Sequence, residues 1–403
     1  MTQKSVSPAR KPAGAKTTNA SRHGFERVAL LLQGGGALGS YQGGVYEALA
    51  EADLHPDYVA GVSIGAINAA LIAGNAPEDR AKALRKFWER ITTPPPGLPS
   101  LFASMVGAMG HDDNARHEFL NRTRAFATLT GGAPGFFVPR LFSPALRQDL
   151  SPEVASFYDI SPLRETLLDL VDFDRLNAGE VRFCAGAVNI AKGNFESFDS
   201  ALRPITVDHV MASGALPPGF PAIKIGDDYY WDGGLISNTP LHWVLSTHPR
   251  LDTLAFQVDL WSATGKLPTS MIEIDQREKD IRFSSRTRAF TEQFQSIQHA
   301  RQAVHRLLEL LPDKSVIEQD PELRALAQAA DNKVYNIVHL IYRTQAYEGT
   351  TKDYEFSRST MEEHWGAGRA DAVHSLGHPE IFERPTSHTG VGIFDLTRQE
   401  THP

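Results

Sequence analysis

The sequence lacks three features that would each place it in a broad class of proteins. It has a single cysteine in 403 residues, Cys184, so no disulfide can form within the chain. No apolar run reaches the roughly 18 residues that a membrane-spanning helix needs. Acidic side chains outnumber basic ones by 48 to 40, and a net charge of -8 argues against a nucleic-acid-binding protein, which usually has a basic face. We therefore expect a cytoplasmic protein without nucleic-acid partners, in which Cys184 is a buried strand residue.

The first 24 residues carry basic but no acidic side chains. Five lysines and arginines occur there, and no apolar stretch follows them. A secretory signal needs such a stretch, so its absence argues against one. We expect residues 1–24 to form a disordered basic tail.

Two strand-turn-helix units open the remaining sequence. The apolar run from Val28 to Leu32 suits a strand that is buried on both faces, and three glycines join it to a helix. A second strand, from Tyr58 to Val62, is followed by a helix of small residues from Ile64 to about Ala73. Strands that alternate with helices favour a parallel sheet covered by helices, and thus the α/β class.

The second of these turns contains a candidate nucleophile. Residues Gly61 to Gly65 match the pattern Gly-x-Ser-x-Gly, in which Ser63 occupies a strained turn where bulkier neighbours would clash. The pattern is common by chance, but here a strand precedes it and a helix follows it, as a nucleophile elbow requires. The alternative is a glycine-rich turn with an incidental serine.

The first turn has two interpretations. Residues Gly34 to Gly39 match Gly-x-Gly-x-x-Gly, the dinucleotide-binding fingerprint, and Asp53 and Asp57 lie near the expected position of a ribose-binding acid. This interpretation predicts a nucleotide-dependent oxidoreductase. The same geometry also suits an oxyanion hole, because unblocked amides at a helix N-terminus stabilise negative charge. The motif alone does not separate the two.

The position of the two turns in the chain favours the oxyanion hole. If the two strands are neighbours in a parallel sheet, both turns open at the same edge of that sheet. The amides of Gly35, Gly36 and Ile64 would then surround a carbonyl group that Ser63 attacks.

A third motif contains a candidate base. Residues Trp231 to Gly234 place a short acid, Asp232, before two glycines, which leave the carboxylate uncovered and allow another backbone to approach. Taken alone, Asp-Gly is a turn signal after a strand. Together with the other two motifs, it makes Asp232 the candidate proton acceptor for Ser63.

In this order, the glycine-rich turn, the serine elbow and the Asp-Gly-Gly motif resemble the patatin-like phospholipase family. The stretch from Ala212 to Pro217 is similar to the family's alanine, serine and proline stretch ahead of the acid, and the resemblance covers residues 26–262. It implies a three-layer α/β/α fold and the hydrolysis of acyl esters, commonly of lipids. It also implies a Ser-Asp dyad without histidine, so we expect surface or core roles for His209, His242 and His248.

The resemblance also implies a role for each motif residue. Ser63 corresponds to the family nucleophile, Asp232 to the proton-accepting acid of the dyad, and Gly34 to Gly36 to the oxyanion loop. The glycines that support these motifs are Gly39, Gly61, Gly65, Gly233 and Gly234.

Two positions depart from the family pattern. Gln33 stands where many members have an acid, and Leu38 stands where many have a basic residue. The oxyanion amides depend on neither side chain, but electrostatic help from a basic residue is missing at Leu38.

The chain beyond the tail divides into two predicted parts. Residues 25–262 form the acyl hydrolase domain. Within it, residues 94–144 show no periodicity, so we predict an irregular apolar insertion that acts as a lid or as a wall of the acyl pocket, with a packed irregular segment as the alternative. Residues 263–403 are predicted to form a mostly helical C-terminal extension without assigned chemistry. It includes an apolar helical stripe from Phe290 to Leu311 and a strand from Val334 to Tyr342.

The sequence thus predicts a lipid acyl hydrolase that uses neither metal nor cofactor. Its partner is a lipid or another acyl-ester substrate, and contact with a membrane would be transient and peripheral. Phospholipids, lysophospholipids, neutral glycerides and hydroxyacid polyesters all remain open as substrates. The alternatives are the nucleotide-dependent oxidoreductase and a catalytically silent binding protein of the same fold.

Overall fold

The computed structural model of the protein describes residues 24–93, 113–141, 150–284, 287–344, 348–386 and 389–396. Most of the predicted tail and both ends of the predicted insertion lie outside the described residues. The strands are β1 (Arg27–Leu32), β2 (Tyr58–Val62), β3 (Val138–Pro139), β4 (Tyr158–Asp159), β5 (Arg182–Asn189), β6 (Asn194–Asp199), β7 (Ile223–Ile225), β8 (Asp228–Asp232), β9 (Thr253–Asp259), β10 (Tyr335–Ile341) and β11 (Val391–Phe394). The helices are α1 (Ser40–Glu51), α2 (Ile64–Ala73), α3 (Pro77–Ile91), α4 (Asp113–Gly131), α5 (Ser161–Leu170), α6 (Phe173–Ala178), α7 (Val207–Ser213), α8 (Leu241–Ser246), α9 (Met271–Phe283), α10 (Thr287–Leu310), α11 (Ser315–Gln319), α12 (Pro321–Ala329) and α13 (Arg358–Leu376).

A mainly parallel sheet forms the centre of the fold. Strands β11, β10, β9, β1, β2 and β5 pair in parallel in this order, whereas β6, β7 and β8 join antiparallel beside β5. All residues of β1, β2 and β9 are buried, as in a sheet covered on both faces. Cys184 lies buried within β5, as predicted.

Alternate side chains of β1 face two different helical layers. Val28, Leu30 and Leu32 pack in one core with side chains of α1 and α2. Ala29 and Leu31 pack in a second core, with side chains of α8 and α10. Because neighbouring residues of a strand point to opposite faces, this division confirms the predicted three-layer α/β/α fold.

The predicted insertion at residues 94–144 is not irregular throughout. Helix α4 occupies its centre, so the prediction is wrong for that segment. In residues 120–131 of α4, whose side chains the structure describes, the buried residues are Asn121, Ala125 and Thr128, whereas Phe126 is 66% exposed. A buried stripe with one apolar residue gives no hydrophobic periodicity, which is why the sequence pattern did not indicate the helix.

The C-terminal region (residues 263–403) is mostly helical, as predicted, but it also continues the central sheet. Strands β10 and β11 extend the sheet beyond β9, and α13 packs closely on α1. A Cβ atom on Gly43 would lie 2.2 Å from the ring of Trp365, and one on Gly368 would lie 2.0 Å from the carbonyl oxygen of Tyr41. The boundary before this region stays a prediction, and the sheet crosses it. In the part of the chain described here, no helix is long and apolar enough to span a membrane.

The register of β5 brings two strand ends together. Gly186 of β5 pairs with Val62 of β2, and the next residue, Ala187, pairs with Asp232 of β8. The other edge of β5 is occupied by β6 over this whole length. Strands β2 and β8 must therefore share one edge of β5, running towards each other, so that the residue after Val62 meets Asp232.

Candidate active site

Ser63 occupies a strained turn between β2 and α2. It has φ of 57° and ψ of -126°, a backbone conformation that residues other than glycine rarely adopt. Residues strained in this way cluster at functional sites. A Cβ atom on Gly61 would lie 2.2 Å from the carbonyl carbon of Gly65, and one on Gly65 would lie 2.2 Å from the carbonyl oxygen of Leu32. Both flanking glycines are thus required for the close approach of α2 to the sheet.

The backbone of this turn is fastened by a residue to which sequence analysis gave no role. The Ser63 amide donates to the carbonyl oxygen of Ser213, at 3.2 Å, and to its Oγ, at 3.0 Å. The Ser213 hydroxyl in turn donates to the carbonyl oxygen of Gly186, at 2.6 Å. Ser213 belongs to the stretch from Ala212 to Pro217 that resembles the family, and this resemblance was the available signal.

The carboxylate of Asp232 lies buried beside Ser63. Its Oδ1 accepts a hydrogen bond from the Gly234 amide at 2.7 Å, and its buried Oδ2 has no hydrogen-bond partner of good geometry among the described residues. Burial raises the pKa of Asp232 to about 7, although the nearby Ser63 hydroxyl and the Gly234 amide lower it. A Cβ atom on Gly233 would lie 2.5 Å from the carbonyl oxygen of Gly186, so this glycine allows the two strand ends to meet.

The glycine-rich turn lies directly against the serine turn. A Cβ atom on Gly34 would be 3.0 Å from Cβ of Ser63, and one on Gly39 would be 2.6 Å from Cγ1 of Ile64. The Gly34 amide donates to the carbonyl oxygen of Asn238, at 3.4 Å. Within the described residues, the amides of Gly35 and Gly36 have no hydrogen-bond acceptor, and both residues line the cavity above Ser63.

A cavity of about 320 Å³ opens above the two turns and Asp232. Its walls are mostly apolar, and neighbouring aromatic rings in them contact one another, as shown by the 4.8 Å between the ring centroids of Phe137 and Tyr158. Among the described residues that line it, Asp232 and Asp353 are the acidic ones. The aromatic lining residues are Phe136, Phe137, Tyr158, Phe220, Trp261, Phe283, Tyr354 and Phe356.

Two predicted parts of the chain contribute to these walls. Leu129, Phe136 and Phe137 come from the predicted insertion, in agreement with a wall of the pocket, whereas its action as a lid stays a prediction. The C-terminal region, to which sequence analysis assigned no chemistry, contributes Phe283, Asp353, Tyr354 and Phe356. These residues lie in no motif, and they reach the cavity through the packing of distant elements.

The described histidines close to the motifs in sequence lie outside the cavity lining. In the described part of the chain, no histidine lines the cavity. The ring of His209 packs on Phe198 with 4.7 Å between centroids, and its Nδ1 accepts from the Thr206 amide at 3.0 Å. Burial lowers the pKa of His209. Its role is therefore to cap the start of α7.

The acids of the dinucleotide interpretation lie away from the glycine-rich turn. A ribose-binding acid belongs at the carboxyl end of the second strand, where this chain has Ser63. Asp57 precedes β2 and therefore lies at the opposite edge of the sheet, where its Oδ2 accepts from the Val28 amide at 2.8 Å. Asp53 has φ of 55° in the turn that follows α1. Neither acid is placed to bind a nucleotide at Gly34 to Gly39.

Comparison with known proteins gives several likenesses of different strength. Two proteins of Pyricularia oryzae, from strains 70-15 and Y34, are described as patatin-like phospholipase domain-containing proteins. Each is 45% identical over 60 residues, and the match spans 15% of this chain and 8% of the relative's length.

Two solved structures are similar at low sequence identity. VipD from Legionella pneumophila is 15% identical with a TM-score of 0.37, and the match covers 98% of this chain and 77% of VipD. The complex of full-length SpcU with full-length ExoU from Pseudomonas aeruginosa gives 16% identity and a TM-score of 0.26, with 75% of this chain and 60% of the other chain covered. Both scores are low, so neither likeness bears on the activity of this chain.

Family models give the decisive match. A model described as patatin-like phospholipase matches residues 30–245, which is more than half of the chain. A second, described as patatin phospholipase, matches residues 281–388 and thus the C-terminal region. The resemblance seen in the three motifs is confirmed: the chain belongs to the patatin-like phospholipase family.

Proposed function

We propose that the protein hydrolyses carboxylic esters of lipids, with Ser63 as the nucleophile and Asp232 as its proton acceptor. The observation that carries this proposal is the meeting of the ends of β2 and β8, because it puts a strained serine beside a buried carboxylate. Family membership supports a lipid hydrolase in general, and the site geometry supports this assignment of roles.

The buried carboxylate answers the main chemical difficulty of a dyad without histidine. A free aspartate, with a pKa of about 3.9, is too weak a base for a serine hydroxyl. Burial raises the pKa of Asp232 to about 7, which strengthens the base while about half of it stays ionised at neutral pH. Its unpaired Oδ2 is the oxygen available to the Ser63 proton.

The proposed reaction proceeds in two steps of acyl transfer. Ser63 Oγ forms a bond to the ester carbonyl carbon while its proton passes to Asp232, and the carbonyl π electrons move to the oxygen. Collapse of this intermediate breaks the ester C–O bond, and the alcohol leaves with the proton from Asp232. Water then repeats the sequence on the acyl-enzyme and releases the carboxylic acid and Ser63.

The negative charge on the former carbonyl oxygen needs donors already in place. The amides of Gly35, Gly36 and Ile64 are the proposed donors, since the first two have no acceptor among the described residues and the third opens α2. Gly34 shapes the turn instead, because its own amide already faces the carbonyl of Asn238. Losing one such donor typically costs about 2.7 to 4 kcal/mol of transition-state stabilisation.

The cavity supports an acyl chain of a lipid as the part of the substrate bound above Ser63. Aromatic walls favour burial of apolar surface, at about 25 cal/mol for each Å² removed from water. We accordingly propose phospholipids or lysophospholipids as substrates, reached by transient contact at a lipid surface.

The test is hydrolysis of p-nitrophenyl esters from acetate to palmitate by wild type, Ser63→Ala and Ser296→Ala. Ser296 lies exposed on α10 and donates to the carbonyl oxygen of Glu292 at 3.1 Å, so its variant controls for the loss of any serine. We expect activity that rises with chain length, disappears in Ser63→Ala and persists in Ser296→Ala. Equal activity in all three would refute the assignment of Ser63. If the wild-type protein neither hydrolyses any of these esters nor reacts with a fluorophosphonate probe, it is a catalytically silent binding protein.

A further inference from the structure

The carbonyl of Gly34 is held by two side chains from distant parts of the sequence. Nδ2 of Asn238 donates to it at 3.0 Å, and Nε1 of Trp261 donates to it at 2.8 Å. Both side chains are buried, with Asn238 4% and Trp261 3% exposed. Two hydrogen bonds on one carbonyl oxygen determine the orientation of the peptide unit that joins Gly34 to Gly35.

That orientation also determines the direction of the next amide. A trans peptide unit is planar, and its N–H points opposite to its C=O. With the carbonyl of Gly34 directed at Asn238 and Trp261, the N–H of Gly35 must point away from both. Within the described residues this N–H has no acceptor, so it is free to donate to a substrate oxygen.

The two side chains are themselves held in place by further bonds. The second Nδ2 hydrogen of Asn238 is directed at the carbonyl oxygen of Phe283, at 3.0 Å, which also accepts from Nε2 of Gln33 at 3.2 Å. Oε1 of Gln33 accepts from the Trp261 amide at 3.0 Å. We call the hydrogen bonds of Asn238 and Trp261 to the Gly34 carbonyl the clamp. It belongs to a connected network, in which the side-chain amide of Gln33 donates hydrogen bonds that an acid at this position could not donate.

We propose that Asn238 and Trp261 are positioning residues that aim the amide of Gly35 at the carbonyl oxygen of the substrate. This inference rests on the proposed function, since it concerns the donors of the same reaction. Without these two hydrogen bonds Gly34 would not keep its orientation, because glycine has the widest choice of backbone conformations. The clamp holds the donor before the charge develops, which is what makes such donors effective.

The test uses two variants and two matched controls. Trp261→Phe keeps the aromatic ring but loses one donor to Gly34, and Asn238→Ala loses the other. Trp365→Phe is the control for the first, since Nε1 of Trp365 donates to Glu47 at 2.9 Å away from the site. Asn336→Ala is the control for the second.

Asn336 matches Asn238 in its burial and in the hydrogen bonds that its side-chain amide donates. It is fully buried, and its Nδ2 donates to the carbonyl oxygens of Ile381, at 2.7 Å, and Glu383, at 2.8 Å. Both asparagines thus hold two backbone carbonyls, so their alanine variants should lose similar amounts of stability. A difference in activity between them then reports on position rather than on folding.

We expect kcat for ester hydrolysis to fall about 10- to 100-fold in Trp261→Phe and Asn238→Ala. KM should change little, because the oxyanion contact forms only in the transition state. Fluorophosphonate labelling of Ser63 should slow in parallel, whereas both control variants should keep wild-type kcat despite lower unfolding temperatures. Wild-type kcat in both site variants, or equal losses in the controls, would overturn this inference alone. Wild type without Ser63-dependent turnover would overturn the proposed function together with it.

Discussion

The two glycine-containing turns of the site look alike in sequence but are held in different ways. Each follows a buried strand and opens a helix. The serine turn at residues 61–65 is fixed by close contacts of its own glycines with the adjoining helix and strand, and one outside residue, Ser213, accepts from the Ser63 amide. The glycine-rich turn at residues 34–39 is fixed from outside, by Asn238, Trp261 and Asp353.

This difference explains why one motif was informative and the other ambiguous. A turn whose geometry depends on its own residues carries its function in its local sequence, and Gly-x-Ser-x-Gly is such a pattern. A turn whose amides are aimed by residues about 200 positions later has the same local sequence whether it binds phosphate or an oxyanion. The contacts around it, rather than the motif, decide between these functions.

The largest expected effect comes from removing the partner of the serine turn. Asp232→Asn keeps the shape of the side chain but cannot accept the Ser63 proton, so we expect kcat to fall about 10²- to 10⁴-fold. Steady-state hydrolysis of a lipid ester measures this. Asp228→Asn, in the same strand, is the control, since Asp228 forms a surface ion pair with Lys192. Comparable activity of the two variants would show that the serine turn works without a carboxylate.

The pH dependence of activity sharpens the same assignment. Asp232 must be ionised to act as a base, and burial raises its pKa to about 7. We expect kcat/KM to rise about tenfold per pH unit below pH 7 and to level off above it. Release of fatty acid is the suitable measurement, because p-nitrophenol itself titrates in this range. A midpoint near the ordinary aspartate value of 3.8 would mean that a different group limits the reaction.

A substitution in the glycine-rich turn tests whether it is fixed from outside. Gly36 has φ of 56°, and a Cβ atom on it would lie 2.1 Å from the carbonyl oxygen of Asp353, which accepts from the Ala37 amide. Gly36→Ala should displace the C-terminal segment around Asp353. It should lower kcat about tenfold or more and cost roughly 1–3 kcal/mol of stability. Kinetics and chemical unfolding measure the two effects.

The control for that substitution is Gly366→Ala, since a Cβ atom on this glycine of α13 would meet no other atom within 4 Å. It should raise the stability of its helix by up to about 1 kcal/mol and leave kcat unchanged. If Gly36→Ala also keeps wild-type kcat, the C-terminal segment has no part in shaping the turn.

The contrast between the turns also marks how far the sequence predicted the molecule. The bounds of β2 and α2 and the strand character of β10 were predictable because local apolar runs and glycines specify them. The aromatic walls were not, because Phe220, Tyr354 and Phe356 reach the cavity through packing between elements distant in sequence. Helix α4 escaped prediction for a related reason, since the buried side chains described in its residues 120–131 are small or polar and make no apolar stripe.

The last expected effect concerns stability rather than activity and follows from the buried Asp232. Its pKa is 3.8 in its ordinary state and about 7 in the folded chain, so between these values the folded state binds more protons than the unfolded state, and stability falls as pH rises. Asp232→Asn removes this penalty. The free energy of unfolding of the variant relative to wild type should therefore be higher at pH 8 than at pH 4, by at most about 4 kcal/mol. Asp228→Asn should change in the opposite direction, because Lys192 lowers the pKa of Asp228. Denaturant unfolding of wild type and both variants at the two pH values measures this, and equal pH dependence in all three would show that Asp232 is not held in a destabilising buried state.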